Sequence, residues 1–238
     1  MINQPEKCVA LILAGGLGIR MGDAVNVPKQ FYQMTDKPLL IHTVEVFENH
    51  PDIDLIQIVC LDGWEEYLWN CLDKFSIQKV ADIVTGGATR HQSVHNGLKS
   101  LESICSGHDI IIVHDGVRPF INATLLSRNI EAVRENGSAM TSIQSSDSLL
   151  ISKDSNSSSC ALVRNSVFLV QTPQCYRYER GLSAYNDAPT RGIASCINCC
   201  ELFIALGQTV HLVPGLKTNI KLTTAEDIDF LHAIYNSY

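Results

Sequence analysis

Ala10-Leu11-Ile12-Leu13-Ala14-Gly15-Gly16-Leu17-Gly18-Ile19-Arg20-Met21-Gly22, with Pro28-Lys29-Gln30 close behind, decides how this chain folds. An apolar run that ends in a glycine-rich turn reads as a first β-strand opening into a loop at its carboxyl end. Glycines there let backbone N–H groups approach a phosphate chain with no Cβ in the way. Arg20 and Lys29 supply the cations that such a chain requires. The stretch therefore predicts a nucleoside triphosphate site at the end of the first strand.

Spacing excludes two other glycine loops. The dinucleotide fingerprint needs G-x-G-x-x-G, but Met21 stands where the third glycine belongs and Gly22 comes one position late. It also needs an acidic residue closing the second strand, and Glu45 lies too far along, in a helical pattern. The phosphate loop G-x-x-x-x-G-K-[ST] fails because no Lys-Ser or Lys-Thr follows these glycines.

Outward from this loop, strand and helix signals alternate. Val9 to Leu13, Ile53 to Leu61, Ile83-Val84 and Asp109 to His114 read as strands, the last a continuous apolar run suited to a doubly covered sheet. Pro38 to Asn49, Trp64 to Phe75 and Ser93 to Leu101 carry apolar residues at helical spacing. The alternation predicts an α/β fold, a Rossmann-like, mostly parallel sheet with helices on both faces. Ligands of such sheets bind beyond the carboxyl ends of the strands, where the first loop, Gly86-Gly87 and His114-Asp115 all fall. From about Thr141 to Gln174 the rhythm breaks. Polar, turn-rich stretches flank Leu149-Leu150-Ile151 and Ala161-Leu162-Val163, which predicts a projecting β-arm of paired strands on a single domain spanning 1–238. A lone two-stranded ribbon is marginal in water, so the arm is expected to pack on a partner.

Composition narrows the function classes. The 238 residues are 45% hydrophobic and 18% charged, with a net charge of −7, enough for one sizeable core. The acidic balance and the lack of a long basic run argue against nucleic-acid and anionic-membrane partners. No apolar stretch approaches the ~20 residues of a membrane span, and Met1 to Lys7 lacks the pattern of a signal peptide. A cytoplasmic location is expected. Nine cysteines in such a chain read as free thiols, mostly buried small side chains. The C-x-x-C spacing at Cys196 and Cys199 has no second pair to complete a zinc site.

The motifs A-G-G-x-G-x-R-M-G and P-K-Q, with Gly86-Gly87-Ala88-Thr89-Arg90-His91-Gln92-Ser93-Val94, His114-Asp115-Gly116-Val117-Arg118-Pro119, Gln171-Thr172-Pro173-Gln174 and Asn219-Ile220-Lys221-Leu222-Thr223, resemble the cytidylyltransferases that couple CTP to a polyol phosphate. The resemblance runs nearly end to end. It covers a ribitol-5-phosphate branch and a methylerythritol-phosphate branch of isoprenoid synthesis, and implies the nucleotide-diphospho-sugar transferase type of fold. It also implies a homodimer whose arms complete each other's sites. Hexose-1-phosphate nucleotidyltransferases share the G-G-x-G-x-R loop, but are usually longer and lack the arm.

Cytidylyl transfer requires cations from several directions to hold two polyanions, and a carboxylate for a metal. Arg20 and Lys29 are assigned to the pyrophosphate side. Lys221 resembles the family lysine at the α-phosphate. The resemblance places CTP against Leu13, Ala14, Gly15, Gly16 and Gly18 in the first loop. Gly86, Gly87, Arg90 and Ser93 resemble the cytosine-reading segment. Asp115, at a strand end, suits magnesium, which prefers few carboxylates plus phosphate oxygens. Arg118 then faces the substrate phosphate. The resemblance assigns Asp147, Ser148, Arg164 and Thr172 to the polyol phosphate, with Arg164 acting across the dimer. His114 is expected to be structural, because the attacking phosphate is already ionised.

The chain departs from the pattern at one place. Methylerythritol-phosphate enzymes commonly carry T-D-E-A or T-D-D-A after the arm, where Ile197-Asn198-Cys199-Cys200 stands here without an acid. Asp36 to Thr43 and Val163-Arg164-Asn165 resemble the ribitol branch. Ribitol 5-phosphate is the favoured substrate, methylerythritol phosphate the alternative. A CTP-binding protein without turnover is a third reading.

Overall fold

The computed structural model describes residues 5–18, 27–193 and 195–237. Its centre is β1 (Cys8–Ala14), whose alternating side chains serve two cores. Cys8, Ala10, Ile12 and Ala14 face one helical layer, and Val9, Leu11 and Leu13 face the other. On its flanks lie β4 (Leu55–Cys60) and β6 (Ile110–Asp115), both parallel to it. Every residue of β6 is buried, as the continuous apolar run predicts. Each fully buried Leu, Ile or Val contributes roughly 1.5–3 kcal/mol to the fold.

The chain reaches β4 through a short hairpin, β2 (Gln33–Met34) with β3 (Lys37–Pro38), and helix α1 (Leu39–Glu48). Helix α2 (Glu65–Lys74) leads to β5 (Val80–Thr85), and α3 (Arg90–Ser100) leads to β6. Helix α3 starts three residues before the sequence pattern suggests. Its cap is Thr89, whose hydroxyl accepts the Gln92 N–H at 3.1 Å, so Arg90 and Ser93 sit on its first turn. Helix α4 (Ala123–Asn136) is capped by Asn122 and stopped by Gly137 at φ +74°.

The last part of the sheet is β7 (Ser138–Gln144), the antiparallel β10 (Phe168–Arg177) and β11 (Leu212–Pro214), giving the order β11-β7-β10-β6-β1-β4-β5. Helices α5 (Tyr178–Asp187) and α6 (Cys199–Ala205) join α3 on one face, while α1, α2 and α4 cover the other. Helix α7 (Glu226–Tyr235) buries Leu231 against Met34, Leu39 and Leu222.

The fold class is as expected, but the arm is narrower than 141–174. Thr141 belongs to β7 and Thr172 to Gln174 belong to β10, all buried in the sheet. Their polar side chains disguise them as arm because each finds a partner inside, such as Thr141 with the Asn129 carboxamide at 3.2 Å. The projecting piece is 145–167, where β8 (Leu150–Ile151) pairs antiparallel with β9 (Cys160–Ala161). No helix among the described residues is long and apolar enough to cross a membrane. Of the nine cysteines, Cys160 is exposed and Cys105 half-buried; the others are buried, and all are free thiols.

Candidate active site

A cavity of about 820 Å³ opens beyond the carboxyl ends of β1, β4, β5 and β6. Two glycine turns form its floor. The Gly86 N–H donates to the Cys60 carbonyl at 2.8 Å, holding the turn after β5 against the end of β4. A Cβ on Gly15 would lie 3.4 Å from the Gly86 Cα and from the Cys60 carbonyl oxygen, so the two turns meet backbone to backbone. Gly18 has φ +71°, in the left-handed region that favours glycine. Ser93 shapes the second turn from within, its hydroxyl accepting the Gly87 N–H at 3.0 Å and donating to the Thr89 carbonyl at 3.0 Å.

One wall is a buried carboxylate caged by cations. Asp115 Oδ2 lies 3.0 Å from Lys221 Nζ and 3.2 Å from Arg118 Nε, and Oδ1 lies 3.4 Å from Arg90. Burial pushes the Asp115 carboxyl upward, but the charges of Arg90, Lys221 and Arg118 overcome this and hold it well below the usual carboxylate range. Burial likewise opposes the charge on Arg90, and the Asp115 carboxylate raises its pKa in spite of it. Net positive charge thus faces the cavity at a fixed place, which suits a polyanion. A carboxylate has about four lone-pair sites, and three contacts on Asp115 leave room for one more. The donor set therefore fits a magnesium ion that takes its other ligands from phosphate. No group of three or more His, Cys, Asp or Glu among the described residues is placed to hold a metal by itself.

The segment from Asn219 to Leu222 braces this wall. The Asn219 carbonyl accepts from Arg118 at 2.7 Å, and the Leu222 carbonyl accepts from Lys29 Nζ at 2.9 Å. The buried Asn219 side chain donates to the Thr172 carbonyl at 2.7 Å. Thr172 Oγ1 in turn accepts the Asp115 N–H at 3.1 Å. His114 is fully buried, its Nε2 bonded to the Arg118 carbonyl at 3.1 Å, and burial pushes its pKa down to about 4. A pKa that low leaves the ring uncharged near neutral pH.

The cavity brings together Leu13, Ala14, Gly15, Gly16, Gly18 and Lys29 from the first motif. Gly86, Gly87, Arg90, Ser93 and Asp115 join them, with Arg118, Thr172 and Lys221. Arg20 lies outside the described residues. The cavity of a single chain does not include Asp147, Ser148 or Arg164, which are exposed on the arm. Sequence reasoning gave no role to Gln30, Gln171 and Gln174, which also line it. Their only signal is membership of the P-K-Q and Q-T-P-Q motifs. Gln174 Oε1 accepts the Cys199 N–H at 2.8 Å, and Gln171 Nε2 donates to the Leu216 carbonyl at 2.9 Å.

The departing segment has its own local logic. Asn198 caps α6, accepting the Glu201 N–H at 2.9 Å, while Glu201 reaches back to the Ile197 N–H at 2.6 Å. Cys199 is buried with its sulfur 3.3 Å from the Tyr185 hydroxyl and 3.8 Å from that of Tyr176. Ser195, Cys196, Ile197 and Asn198 line the cavity, so this substituted segment forms part of its wall.

Residues 8–237 match the family model described as "IspD: 2-C-methyl-D-erythritol 4-phosphate cytidylyltransferase". The chain belongs to this cytidylyltransferase family. It is a nucleotidyltransferase by that membership. The chain is 34% identical to the ribitol-5-phosphate cytidylyltransferase of Streptococcus agalactiae serotype V over 229 residues, 96% of this chain and 95% of that protein. It is 35% identical to the 2-C-methyl-D-erythritol 4-phosphate cytidylyltransferase of Clostridium acetobutylicum over 220 residues, covering 92% and 93%. Among solved structures, 4-diphosphocytidyl-2C-methyl-D-erythritol synthase from Anaerococcus prevotii superimposes with a TM-score of 0.82 at 26% identity, covering 97% of this chain and 99% of that one.

Proposed function

We propose that this cytidylyltransferase transfers CMP from CTP to D-ribitol 5-phosphate, forming CDP-ribitol and releasing pyrophosphate, as a cytoplasmic homodimer. The observation that carries the transfer is the Asp115 cage beside two touching glycine turns, a place for one phosphate chain and a facing cluster of cations for another. A phosphate oxygen of the polyol phosphate attacks the α-phosphorus of CTP, and the bond from that phosphorus to the pyrophosphate oxygen breaks. No proton has to be removed from the nucleophile, so a neutral, buried His114 costs the reaction nothing.

In this reading Lys29, with Arg20, takes the pyrophosphate charge, Lys221 the α-phosphate and Arg118 the phosphate of the acceptor. The cytosine lies by Gly86, Gly87 and Ser93. Held at most by Asp115 among the wall residues, magnesium would neutralise phosphate charge as it builds on the leaving group. The three cations already on Asp115 keep that carboxylate ionised for the role. The arm residues Asp147, Ser148 and Arg164 enter the site of the partner. Exposed apolar side chains at Leu150, Ile151, Leu162 and Val163 support the pairing, since an arm with such a surface gains by covering it.

Relatives of comparable identity carry the ribitol and the methylerythritol names, and the family description favours the second substrate as the alternative. Pyrophosphate release from CTP and magnesium, with each polyol phosphate offered separately, decides between them. Turnover with ribitol 5-phosphate alone is the expected result. Turnover with methylerythritol 4-phosphate alone replaces the substrate, and CTP binding without turnover on either leaves the binding-protein reading.

A further inference from the structure

Gln30 is buried, and its side-chain nitrogen donates to two carbonyls of the first loop, Ala14 at 2.7 Å and Gly16 at 3.2 Å. A trans peptide is planar, with the carbonyl and the following N–H pointing in opposite directions. Holding the Ala14 and Gly16 oxygens from one side therefore turns the N–H groups of Gly15 and Leu17 to the other. Gly15, Gly16 and Leu17 all line the cavity. Between glycines the loop has little intrinsic preference for any one arrangement, so an external anchor has a large share in choosing it.

The anchor itself is fixed by packing independent of any ligand. Residues Lys29–Phe31 form one turn of 3-10 helix, and Phe31 stacks on Trp64 at 4.8 Å and meets Tyr67 edge-on at 5.1 Å. From neighbouring positions Lys29 reaches the Leu222 carbonyl and Gln30 reaches the glycine loop. One short turn thereby registers the loop against the cation wall.

We propose that Gln30 is a positioning residue that aims the N–H groups of Gly15 and Leu17 at the triphosphate of the nucleotide. This rests on the CTP reading above. The test uses the full-length protein with Gln30→Met, which keeps the length of the side chain and removes the donor, and Gln30→Glu, which donates only when protonated.

For Gln30→Met, the KM for CTP rises or kcat falls about tenfold, as for loss of preorganised donors at a transferring group. The KM for the polyol phosphate stays within about twofold, and binding of CTP weakens while binding of cytidine, which has no phosphates, does not. For Gln30→Glu, kcat/KM for CTP relative to wild type recovers as the pH falls from 8 to 6, because the protonated carboxyl regains a donor. Unchanged CTP kinetics in Gln30→Met overturns the proposal. So does equal loss of cytidine and CTP affinity, which marks a general collapse of the cavity. If Gln30→Met fails to fold, the Gln30→Glu series decides, and a pH profile parallel to wild type overturns the proposal. A wild-type protein that neither binds CTP nor releases pyrophosphate from it sinks the underlying CTP reading instead.

Discussion

The inner wall of the cavity and the projecting arm are built on opposite principles. The wall consists of strand ends held under helices, and its charged groups are partnered within one chain, with Asp115 touching Lys221, Arg118 and Arg90. The arm is two strands of two residues each, with Leu150 67% and Val163 72% exposed. A parallel sheet covered on both faces fixes the direction of every side chain at its edge. A narrow ribbon cannot bury its own apolar surface and takes its final place from what it meets. The difference teaches that the cavity wall is preformed within a single chain, while the arm leaves apolar surface that the same chain does not cover.

The largest effect comes from breaking the wall. Lys29→Ala removes a cation from the cavity and its hydrogen bond to the Leu222 carbonyl at once. Turnover with CTP and ribitol 5-phosphate should fall by about a hundredfold, the scale of one lost electrostatic contact to a transferring group. Initial rates of pyrophosphate release measure it, and a rate within a few-fold of wild type would remove Lys29 from the mechanism.

Mixing two defective chains sharpens the comparison next. If Arg164 serves the site of the partner, Arg164→Ala and Lys221→Ala homodimers are each weak, yet a mixed dimer carries both defects in one site and none in the other. Statistical mixing then restores about a quarter of wild-type turnover, because half of the dimers are mixed and each has one intact site. No recovery after verified subunit exchange would place Arg164 outside the partner site. A monomer in sedimentation at micromolar concentration would contradict the arm's role altogether.

Acid separates the two regions through stability. Burial drives the pKa of His114 down to about 4, against roughly 6.5 when unfolded. Below the unfolded value the unfolded chain binds a proton that the folded chain refuses. The folding advantage is therefore whole above about pH 6.5 and is lost as pH falls toward about 4. Between pH 7 and 5 this one group should cost about 2 kcal/mol of stability. Burial lowers His42 and His91 as well, and these add to the slope. Urea melts at the two pH values should show a shallower loss in His114→Gln, whose amide can still donate to the Arg118 carbonyl. An equal loss in variant and wild type would mean that His114 titrates normally.

The wall was far more legible in the sequence than the arm, for physical reasons. Ile110 to Val113 reads as a covered strand, and Gly15 and Gly86 mark a close approach of backbones that other residues obstruct. Asp115 and Arg118 follow such a strand directly. Lys221 is assigned through the resemblance of the stretch from Asn219 to Thr223, and its contact with Asp115 emerges only in the structure. The return of β10 into the sheet was hidden because Gln171, Thr172 and Gln174 look like surface residues. Their partners, Asn219 and the Cys199 N–H, are far away in sequence. The anchoring by Gln30 was hidden for a related reason. It acts on backbone carbonyls, which carry no residue identity for a sequence to display.

The smallest effect tests whether buried polar groups in the wall owe their place to being satisfied. Gln57 lies in β4, three residues before the Cys60 carbonyl that anchors the Gly86 turn. Alternation puts it on the side of Leu55 and Val59, in the core under α3. It is fully buried, and neither its Oε1 nor its Nε2 has a hydrogen-bond partner among the described residues. A buried polar group without a partner carries its desolvation cost in full, whereas an apolar group of the same shape does not. Gln57→Met keeps the length of the side chain and replaces the amide by a thioether that fills irregular space. Stability should rise by about 1 kcal/mol, or a few degrees in Tm for a chain of this size. The KM for CTP and the dimer's dissociation constant should not move, because Gln57 touches neither the cage nor the arm. A loss of stability in the melt would show that the Gln57 amide is satisfied in solution, and that the centre of the sheet follows the same rule as its functional edge.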